Sequence, residues 1–302
     1  RRAYENLDLL VSIDIFRGAT GELADYVLPA LDFLERQDIN LVGSGMQQRP
    51  HVKYSEAMVA PAYERREEWW ILSRILQAAG LNSPLSDNPD VDWGTEAIEK
   101  VLANQNLSID ALRALPSGTA LLDQLPYNLV FEKCLQHPDK KIDCFPARFV
   151  SAGLFDRFEQ IFAELSAEPE HVLKLISLRT PYMNNSWFSN APKFRKGKER
   201  DNPLHMSLAD VQRLGLVEGD AIIMATEFGS LETHVFVDDS LRQGVVAMSH
   251  GYGYARSFAL RVARQNAGSN CNDIMPNGLD SIEPLSNMAW LSAVPVSVMR
   301  SA

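Results

Sequence analysis

Short apolar runs separated by turn residues dominate the chain from residue 172 onward. The runs cover 172–178, 221–226, 231–237, 245–249 and 294–299, and several are rich in β-branched side chains. Runs of this length, divided by Gly, Asp, Ser and Asn, predict β-strands joined by tight turns. Short strands with one small helix among them favour a compact β-barrel over a sandwich of long hairpins.

The small helix is predicted just before the second of these strands. Ser207 stands three residues before Asp210, as in a capping box, where a side-chain oxygen accepts a hydrogen bond from a first-turn amide. Apolar side chains then recur at helical spacing, and Gly215 ends the helix where a left-handed conformation is needed.

The N-terminal pattern indicates an α/β layer. The near-continuous apolar run over 7–16 is typical of a buried parallel strand, and a second strand is predicted over 26–29. Thr20 is placed to cap a short helix over 21–25 between them. A strand, a crossover and a second strand form the unit of α/β domains. A layer that begins at residue 7 is expected to be part of a truncated domain.

Between these two parts the pattern predicts mainly helices. Helical periodicity covers four segments, at 64–80, 95–104, 108–115 and 154–165. Ser108 is a candidate N-cap for the third of them. Two short strands are expected within 127–145, on either side of a His-Pro-Asp turn.

Composition narrows the class of protein. No apolar run approaches the roughly 18 residues of a membrane span, so no membrane span is expected. Cys134, Cys144 and Cys271 form no Cys-x-x-Cys pair, which argues against disulfides, a structural zinc site or an iron–sulfur cluster in this chain. Free cysteines fit a reducing compartment, so a cytoplasmic location is expected, with a periplasmic parent protein left open.

Charge is distributed unevenly along the chain. The net charge is −10; from His171 onward there are 13 basic and 12 acidic residues, which leaves 16 basic and 27 acidic residues before it. An acidic chain of this kind is not expected to bind nucleic acid. The basic segment 193–200 is either a solvated surface loop or a place where an anion binds.

Three polar clusters lie at or near the ends of the predicted strands, at 179–187, 250–253 and 266–273. Arg179 offers a planar fork for phosphate, and Asn and Ser side chains suit rings with amide-like edges. Each cluster alone is more often a loop held by local hydrogen bonds, but the occurrence of three such clusters at strand ends makes a binding site an equal alternative. Known catalytic motifs and metal-ligand spacings are absent from the sequence, so no catalytic residue and no metal ligand is predicted.

Taken together, the motifs resemble those of molybdopterin oxidoreductases of the dimethyl-sulfoxide-reductase family, which includes formate dehydrogenases and nitrate reductases. The matching motifs follow the family order: Thr-Gly-Glu-Leu-Ala-Asp-Tyr-Val-Leu-Pro from Thr20, Asn-Pro-Leu-His-Met-Ser from Asn202, His-Gly-Tyr-Gly from His250, and Asn-Cys-Asn from Asn270. The resemblance implies a truncated, Rossmann-like α/β segment followed by a six-stranded double-psi β-barrel. It implies three parts: a partial α/β domain (1–80), a connecting helical segment (81–170) and a molybdopterin-dinucleotide-binding barrel (171–302).

The resemblance also implies which residues bind the cofactor, molybdopterin guanine dinucleotide with molybdenum or tungsten. The first cluster would wrap one pterin and its pyrophosphate, the second and third would contact the other pterin, and two N-terminal residues would lie near a guanosine. The implied cofactor-binding residues are Arg179, Thr180, Asn184, Asn185, Ser186, His250, Gly251, Asn270, Asn272, Asp14 and Thr20.

One departure from the family pattern limits the expected activity. In the family, the metal ligand and any iron–sulfur cysteines belong to an N-terminal half that is not in this sequence. The chain is therefore expected to be a C-terminal fragment that binds pterin but is inactive alone, with the missing half as its partner. Dimerisation through the exposed apolar surface is expected. The alternatives are a non-catalytic homologue that serves as a structural subunit of a redox complex, and an unrelated double-psi barrel module.

Overall fold

The computed structural model describes residues 2–40, 47–83, 88, 91–123, 129–169, 171–197, 200–283 and 286–301. The chain divides into two compact units, Arg1–Ile142 and Asp143–Ala302. The division into parts 1–80, 81–170 and 171–302 stays a prediction. Among the described residues, no helix combines the length and the apolar character needed to cross a membrane.

The strands, in chain order, are β1 Val11–Asp14, β2 Tyr26–Pro29, β3 Asp38–Ile39, β4 His51–Ser55, β5 Thr119–Leu121, β6 Leu173–Leu178, β7 Leu204–Met206, β8 Ala221–Thr226, β9 Gly229–Val237, β10 Val245–Ser249 and β11 Val294–Arg300. The α-helices are α1 Arg2–Glu5, α2 Glu68–Ala78, α3 Trp93–Ala103, α4 Ile109–Arg113, α5 Leu129–Cys134, α6 Ala147–Ser151, α7 Leu154–Ser166, α8 Leu208–Arg213 and α9 Arg261–Gln265. Single 3₁₀ turns lie at Pro116–Gly118, Pro192–Phe194, Cys271–Ile274 and Leu279–Ser281.

In the N-terminal unit, β1 and β2 pair in parallel, which confirms the predicted α/β pairing. The predicted helix over 21–25 is wrong. Isolated turns connect the strands instead, with Glu22 N bonded to Gly18 O and Leu23 N to Thr20 O. Gly21 disfavours a helix at this point, and Asp25 instead bonds with Leu10, whose amide donates to the Asp25 side chain and whose carbonyl accepts from Asp25 N. The first strand is also shorter than the apolar run, because only four of its residues pair with β2.

The rest of this unit is a three-stranded antiparallel sheet with helices on it. The strand order is β3-β4-β5, and α3 and α4 bury Ile98, Leu102, Ile109 and Leu112 in the same core cluster. Ser108 caps α4 by accepting a bond from Ala111 N, as predicted. The helix predicted at 64–80 is α2, which is shorter at both ends.

The two strands predicted within 127–145 are wrong. The described part of this segment contains α5 and a turn at 137–140, and no strand. The apolar residues of this segment are mixed with Glu and Lys, which favour a helix, and no neighbouring strand among the described residues supplies a hydrogen-bonding partner. The helix predicted at 154–165 is confirmed as α7.

The C-terminal unit contains a closed six-stranded barrel with the order β10-β6-β11-β8-β9-β7. Two neighbouring pairs are parallel, β6 with β10 and β7 with β9, and the other four are antiparallel. The predicted six-stranded double-psi barrel is confirmed. Its core consists of alternating apolar side chains of the strands, among them Leu175, Leu204, Met206, Ile222, Met224 and Val246.

Strand β7 is the one barrel strand that the apolar pattern missed. It has three residues and directly follows Pro203, so it carries almost no alternation of its own. It forms because β9 and β10 pair with it on both sides, with Leu204 opposite Val235 and Met206 opposite Val246.

Helix α8 confirms the predicted cap and stop. Ser207 Oγ accepts a bond from Asp210 N at 3.2 Å and donates one to Asp210 Oδ2 at 2.8 Å. Asp210 is fully buried, and it also accepts a bond from Gly244 N, just before β10. Gly215 ends the helix with φ +66°. The cap therefore fixes both the start of α8 and its position against β10.

Candidate functional site

The ends of two parallel strands bring the first two predicted clusters together. Ser249 of β10 lies opposite Leu178 of β6 in the parallel register. Because parallel strands run in the same direction, the residues that follow them, Arg179 and His250, leave the barrel at the same edge. Segments 179–187, 250–253 and 266–273 together form the three-loop surface.

Asn185 joins the first two segments of the three-loop surface through one oxygen atom. Its Oδ1 accepts a hydrogen bond from Arg179 Nη1 and lies 3.3 Å from His250 Nε2. The other ring nitrogen of His250, Nδ1, lies 3.2 Å from Ser177 Oγ at the end of β6. Asn184 and Asn185 have φ values of +42° and +62°, a conformation that Asn adopts more readily than most residues.

The environment of His250 disfavours its charged form. Partial burial, together with the nearby positive charge of Arg179, lowers the pKa of His250 below the ordinary 6.5. The imidazole is therefore neutral near pH 7, with one nitrogen as donor and the other as acceptor. A neutral ring with both kinds of group can bond to the edge of a heterocycle without adding charge.

Two glycines allow the three segments to approach closely. Gly251 has φ +87°, and a Cβ at this position would clash with the carbonyl oxygen of Asn185. Gly253 has φ +99°, and a Cβ there would clash with Asn270. Gly253 N also donates to Ala267 O at 2.7 Å. The second segment is thus packed between the first and the third.

The third segment is held largely by its own side chains. Asn270 Oδ1 accepts a bond from Asn272 N at 3.2 Å, and its amide nitrogen donates to Asp273 at 2.8 Å. The Asn270 carboxamide therefore shapes the turn, while the side chain of Asn272 is exposed. Thr226 Oγ1 donates to Ile274 O at 2.7 Å and holds the segment against the β8–β9 hairpin.

Thr180 carries a buried polar atom with no partner. Its Oγ1 is shielded from solvent and makes no hydrogen bond within the described part of the chain. Buried hydroxyls are nearly always bonded, so an isolated one beside exposed Arg179 and Asn184 fits a polar group of a bound ligand. Ser186 is exposed on the same segment, and its carbonyl accepts a bond from Ser189 N.

The two N-terminal candidates belong to the other unit. Asp14 ends β1, where its Oδ1 accepts a bond from Phe16 N at 3.1 Å. Thr20 is exposed in the turn that follows. The role of both residues stays a prediction.

Asn202, which begins one of the family motifs, is a structural residue of the site and was not among the predicted cofactor-binding residues. It is buried, and its amide nitrogen donates to Ser249 O at 2.7 Å and to Ser269 O at 2.8 Å. Its oxygen accepts a bond from Ser269 N at 2.8 Å. Asn202 thereby ties the end of β10 to the third segment, which explains why a carboxamide stands so close to the start of β7.

A polar cavity of about 390 Å³ adjoins the three-loop surface, with which it shares residues 266–269. Arg200, Asp201 and His234 line it, and His234 Nε2 lies 4.0 Å from Asp201 Oδ2. Arg200 ends the basic segment 193–200, in which Lys198 and Glu199 lie outside the described residues. Within that segment Arg195 is buried, so it is not part of a solvated loop.

Two family models match the chain, in the order that the motifs predicted. The model described as molybdopterin oxidoreductase matches residues 1–78, and the model described as molydopterin dinucleotide binding domain matches residues 173–289. Relatives in the dimethyl-sulfoxide-reductase family match as well. A putative dimethyl sulfoxide reductase catalytic subunit from Halobacterium salinarum is 23% identical over 269 residues, covering 85% of this chain and 31% of that protein.

The chain belongs to the dimethyl-sulfoxide-reductase family of molybdopterin oxidoreductases. The arsenate respiratory reductase molybdopterin-containing subunit ArrA of Chrysiogenes arsenatis is 33% identical over 107 residues, 33% of this chain and 12% of that protein. Acetylene hydratase from Pelobacter acetylenicus shares the fold at TM-score 0.72 and 19% identity, over 99% of this chain and 41% of that chain. The chain spans about a third of the length of its longest-matching curated relatives, at 31% and 33%.

The matches identify the C-terminal barrel of this family member as a molybdopterin-dinucleotide-binding domain, and they support molybdopterin guanine dinucleotide with molybdenum as its cofactor. The three-loop surface fits such a group. Arg179 can donate two parallel bonds to a phosphate, the exposed carboxamides can bond to a heterocyclic edge, and Thr180 has an unused hydroxyl. Among the described residues, no group of three or more His, Cys, Asp and Glu is placed to hold a metal ion.

Proposed function

We propose that the three-loop surface holds the pterin cofactor, and that the chain is the cofactor-binding C-terminal portion of a bis-pterin molybdenum or tungsten oxidoreductase. The observation that carries the proposal is the convergence of Arg179, Asn185 and His250 at one edge of the barrel, where one carboxamide oxygen lies within reach of the other two side chains. The family models that match segments of both units support the same assignment.

Each segment of the three-loop surface has a distinct proposed role. Arg179 binds the pyrophosphate. The adjoining pterin is surrounded by Thr180, Asn184, Asn185 and Ser186. His250 and Asn272 bond to the second pterin, while Gly251 and Asn270 hold the backbone close enough for them to do so. Asp14 and Thr20, in the N-terminal unit, bind a guanosine or its ribose.

The bound cofactor would supply a two-electron redox centre. The residues of this chain bind and orient it. A neutral His250 offers a donor and an acceptor without repelling or attracting the phosphates, which leaves Arg179 to bind the negative charge.

This chain and the rest of the parent protein have different proposed roles. Residues 1–80 form part of the α/β core, 81–170 connect it, and 171–302 form the barrel. We assign the metal ligand, the remaining pterin contacts and any iron–sulfur cluster to parts of the parent protein other than these 302 residues, and we expect these residues alone to be inactive. Family membership excludes an unrelated barrel module. A non-catalytic homologue in a redox complex would keep the fold without the cofactor.

One measurement separates these two functions. Full-length protein purified from cells supplied with molybdate is analysed for released guanine-pterin and for molybdenum and tungsten. The oxidoreductase proposal predicts both the pterin and the metal, with two pterins for each metal ion. Protein that is folded but contains neither would be the structural homologue, and the proposed cofactor role would fail.

A further inference from the structure

Arg195 is a buried guanidinium in the basic segment 193–200, in which Lys193, Lys196 and Arg200 are exposed. Only 4% of its surface is accessible. No ion pair of Arg195 is found among the described residues, although the negative charge of Asp201 acts on it, and its Nε has no hydrogen-bond partner among them. A buried charge that is not directly paired is unfavourable, so other neighbours must help to stabilise it.

The neighbours of Arg195 come from all three segments of the three-loop surface. In the first segment, Nη1 lies 3.7 Å from the sulfur of Met183. In the second, the guanidinium carbon lies 4.3 Å from the centre of the Tyr252 ring, a cation–π contact. In the third, Nη2 donates to the carbonyl oxygen of Asn266.

These contacts are made where regular structure is sparse. Met183 and Tyr252 lie in turns and irregular backbone, and Asn266 follows the short helix α9. Strand ladders fix the barrel ends of the segments but not the positions of the segments relative to one another. The planar guanidinium has donors in fixed directions and stacks on aromatic faces. One arginine side chain can therefore fix the positions of all three segments relative to one another.

We propose that Arg195 is the positioning residue that holds the three segments in register, so that the candidate cofactor-binding side chains face a common ligand. This inference rests on the proposed function, which gives a reason for the three segments to face one ligand. The contacts that support it are all between residues of this chain. Direct binding of an anion is less consistent with the geometry, because the unpartnered Nε is shielded from solvent.

Hydrogen exchange of the 302-residue chain, followed by mass spectrometry, tests the proposal. Arg195→Met keeps an unbranched side chain but removes the charge and the donors. Reporter amides are those of Phe188, Gly253 and Ser269, which bond to Met183 O, Ala267 O and Asn202 Oδ1. They are expected to exchange about tenfold faster or more, since a hydrogen bond from a charged donor contributes enough for a change of that size. Amides in β8 and β9 are expected to be unchanged.

Two further variants sharpen the result. Arg195→Lys keeps a cation over Tyr252 but loses the fork, so intermediate exchange rates are expected. Lys193→Met, on an exposed residue of the same segment, is expected to behave as wild type. Unchanged reporter amides in Arg195→Met would overturn the proposal, and so would equal acceleration of the barrel strands, because that pattern reflects general destabilisation.

Pterin retention by the full-length protein gives a separate readout. Arg195→Met is expected to lower pterin content, with partial recovery in Arg195→Lys. If the segments loosen but wild-type protein holds no pterin, the positioning role stands and the cofactor proposal fails. If wild-type protein holds pterin and Arg195→Met retains it fully, Arg195 does not position the cofactor-binding residues.

Discussion

Gly251 packs directly against the carbonyl oxygen of Asn185, so closely that a Cβ on Gly251 would lie under 3.0 Å from it. This contact joins the first two segments of the three-loop surface without any side-chain bond. The contact is possible only because Gly251 has no side chain. Adding one methyl group, by replacing Gly251 with alanine, therefore tests how much the packing of the two segments depends on this close backbone approach.

Gly251→Ala is expected to lower the free energy of unfolding by about 2–5 kcal/mol, from left-handed strain of about 1–2 kcal/mol and steric overlap of about 1–3 kcal/mol. Gly219→Ala is the matched control, since Gly219 has φ +83° and open space around it. Urea denaturation followed by circular dichroism measures both. Equal losses in the two variants would show that the contact with Asn185 is unimportant.

Asp210→Asn is expected to destabilise the barrel by about 3 kcal/mol, because it removes a buried charge that accepts bonds from Ser207, Gly244 and Arg213. Asp239→Asn, on an exposed aspartate, is the control. Urea denaturation measures the change. A loss equal to that of the control would contradict the structural role of Asp210.

The same carboxylate predicts an acid-sensitive fold. Burial opposes ionisation of Asp210, but the bonds from Gly244, Ser207 and Arg213 outweigh it and hold its pKa below the ordinary 3.8. Its contribution to stability is therefore full above pH 3.8 and is lost as the pH falls through the folded-state pKa. When the free energy of unfolding is measured at successively lower pH below 3.8, it should fall more steeply for wild type than for Asp210→Asn.

Arg179→Ala is expected to lower cofactor retention by the full-length protein, because a phosphate would lose a charge-assisted bond of about 1.5–3 kcal/mol. Arg242→Ala, an exposed arginine just before β10 and thus at the opposite end of that strand from His250, is the control. Pterin and molybdenum content after dialysis is the measurement. Equal retention in both variants would count against the phosphate role.

His250 is expected to titrate below pH 6.5 when followed by NMR, because burial and the charge of Arg179 both disfavour its protonation. Since the folded-state pKa is lowered, stability is unaffected above pH 6.5 and decreases as the pH falls below it. Arg179→Gln should raise the midpoint, whereas Arg300→Gln, which removes a partner of Asp220, should not. A midpoint at or above 6.5 in wild type would contradict the assigned environment.

Helix α7 is expected to promote self-association of the chain. Its apolar stripe is exposed, including Phe155, Phe158, Phe162 and Leu165, and exposed apolar patches favour association. Phe158→Lys with Phe162→Lys should shift the mass measured by light scattering toward the monomer. Arg157→Lys on the same helix should leave it unchanged. A monomer for wild type at high concentration would contradict this prediction.

Local patterns predicted the elements whose determinants lie within a few residues. The cap at Ser207, the stop at Gly215 and helix α7 all followed from neighbouring side chains, and all were confirmed. The helix expected after Thr20 was wrong, because Gly21 disfavours a helix and Asp25 bonds with Leu10, which is distant in sequence.

The sequence by itself determined the barrel strands with clear alternation, the family and the segments in which binding residues are predicted. Only the tertiary structure decided that β7 is a strand, that Arg195 is buried among three segments, and that Asn185, His250 and Gly251 meet. The reason is physical: capping and periodicity are set by residues three or four apart, whereas ladder partners, burial and close backbone contacts come from distant segments. Leu173 of β6, for example, pairs with Val296 of β11.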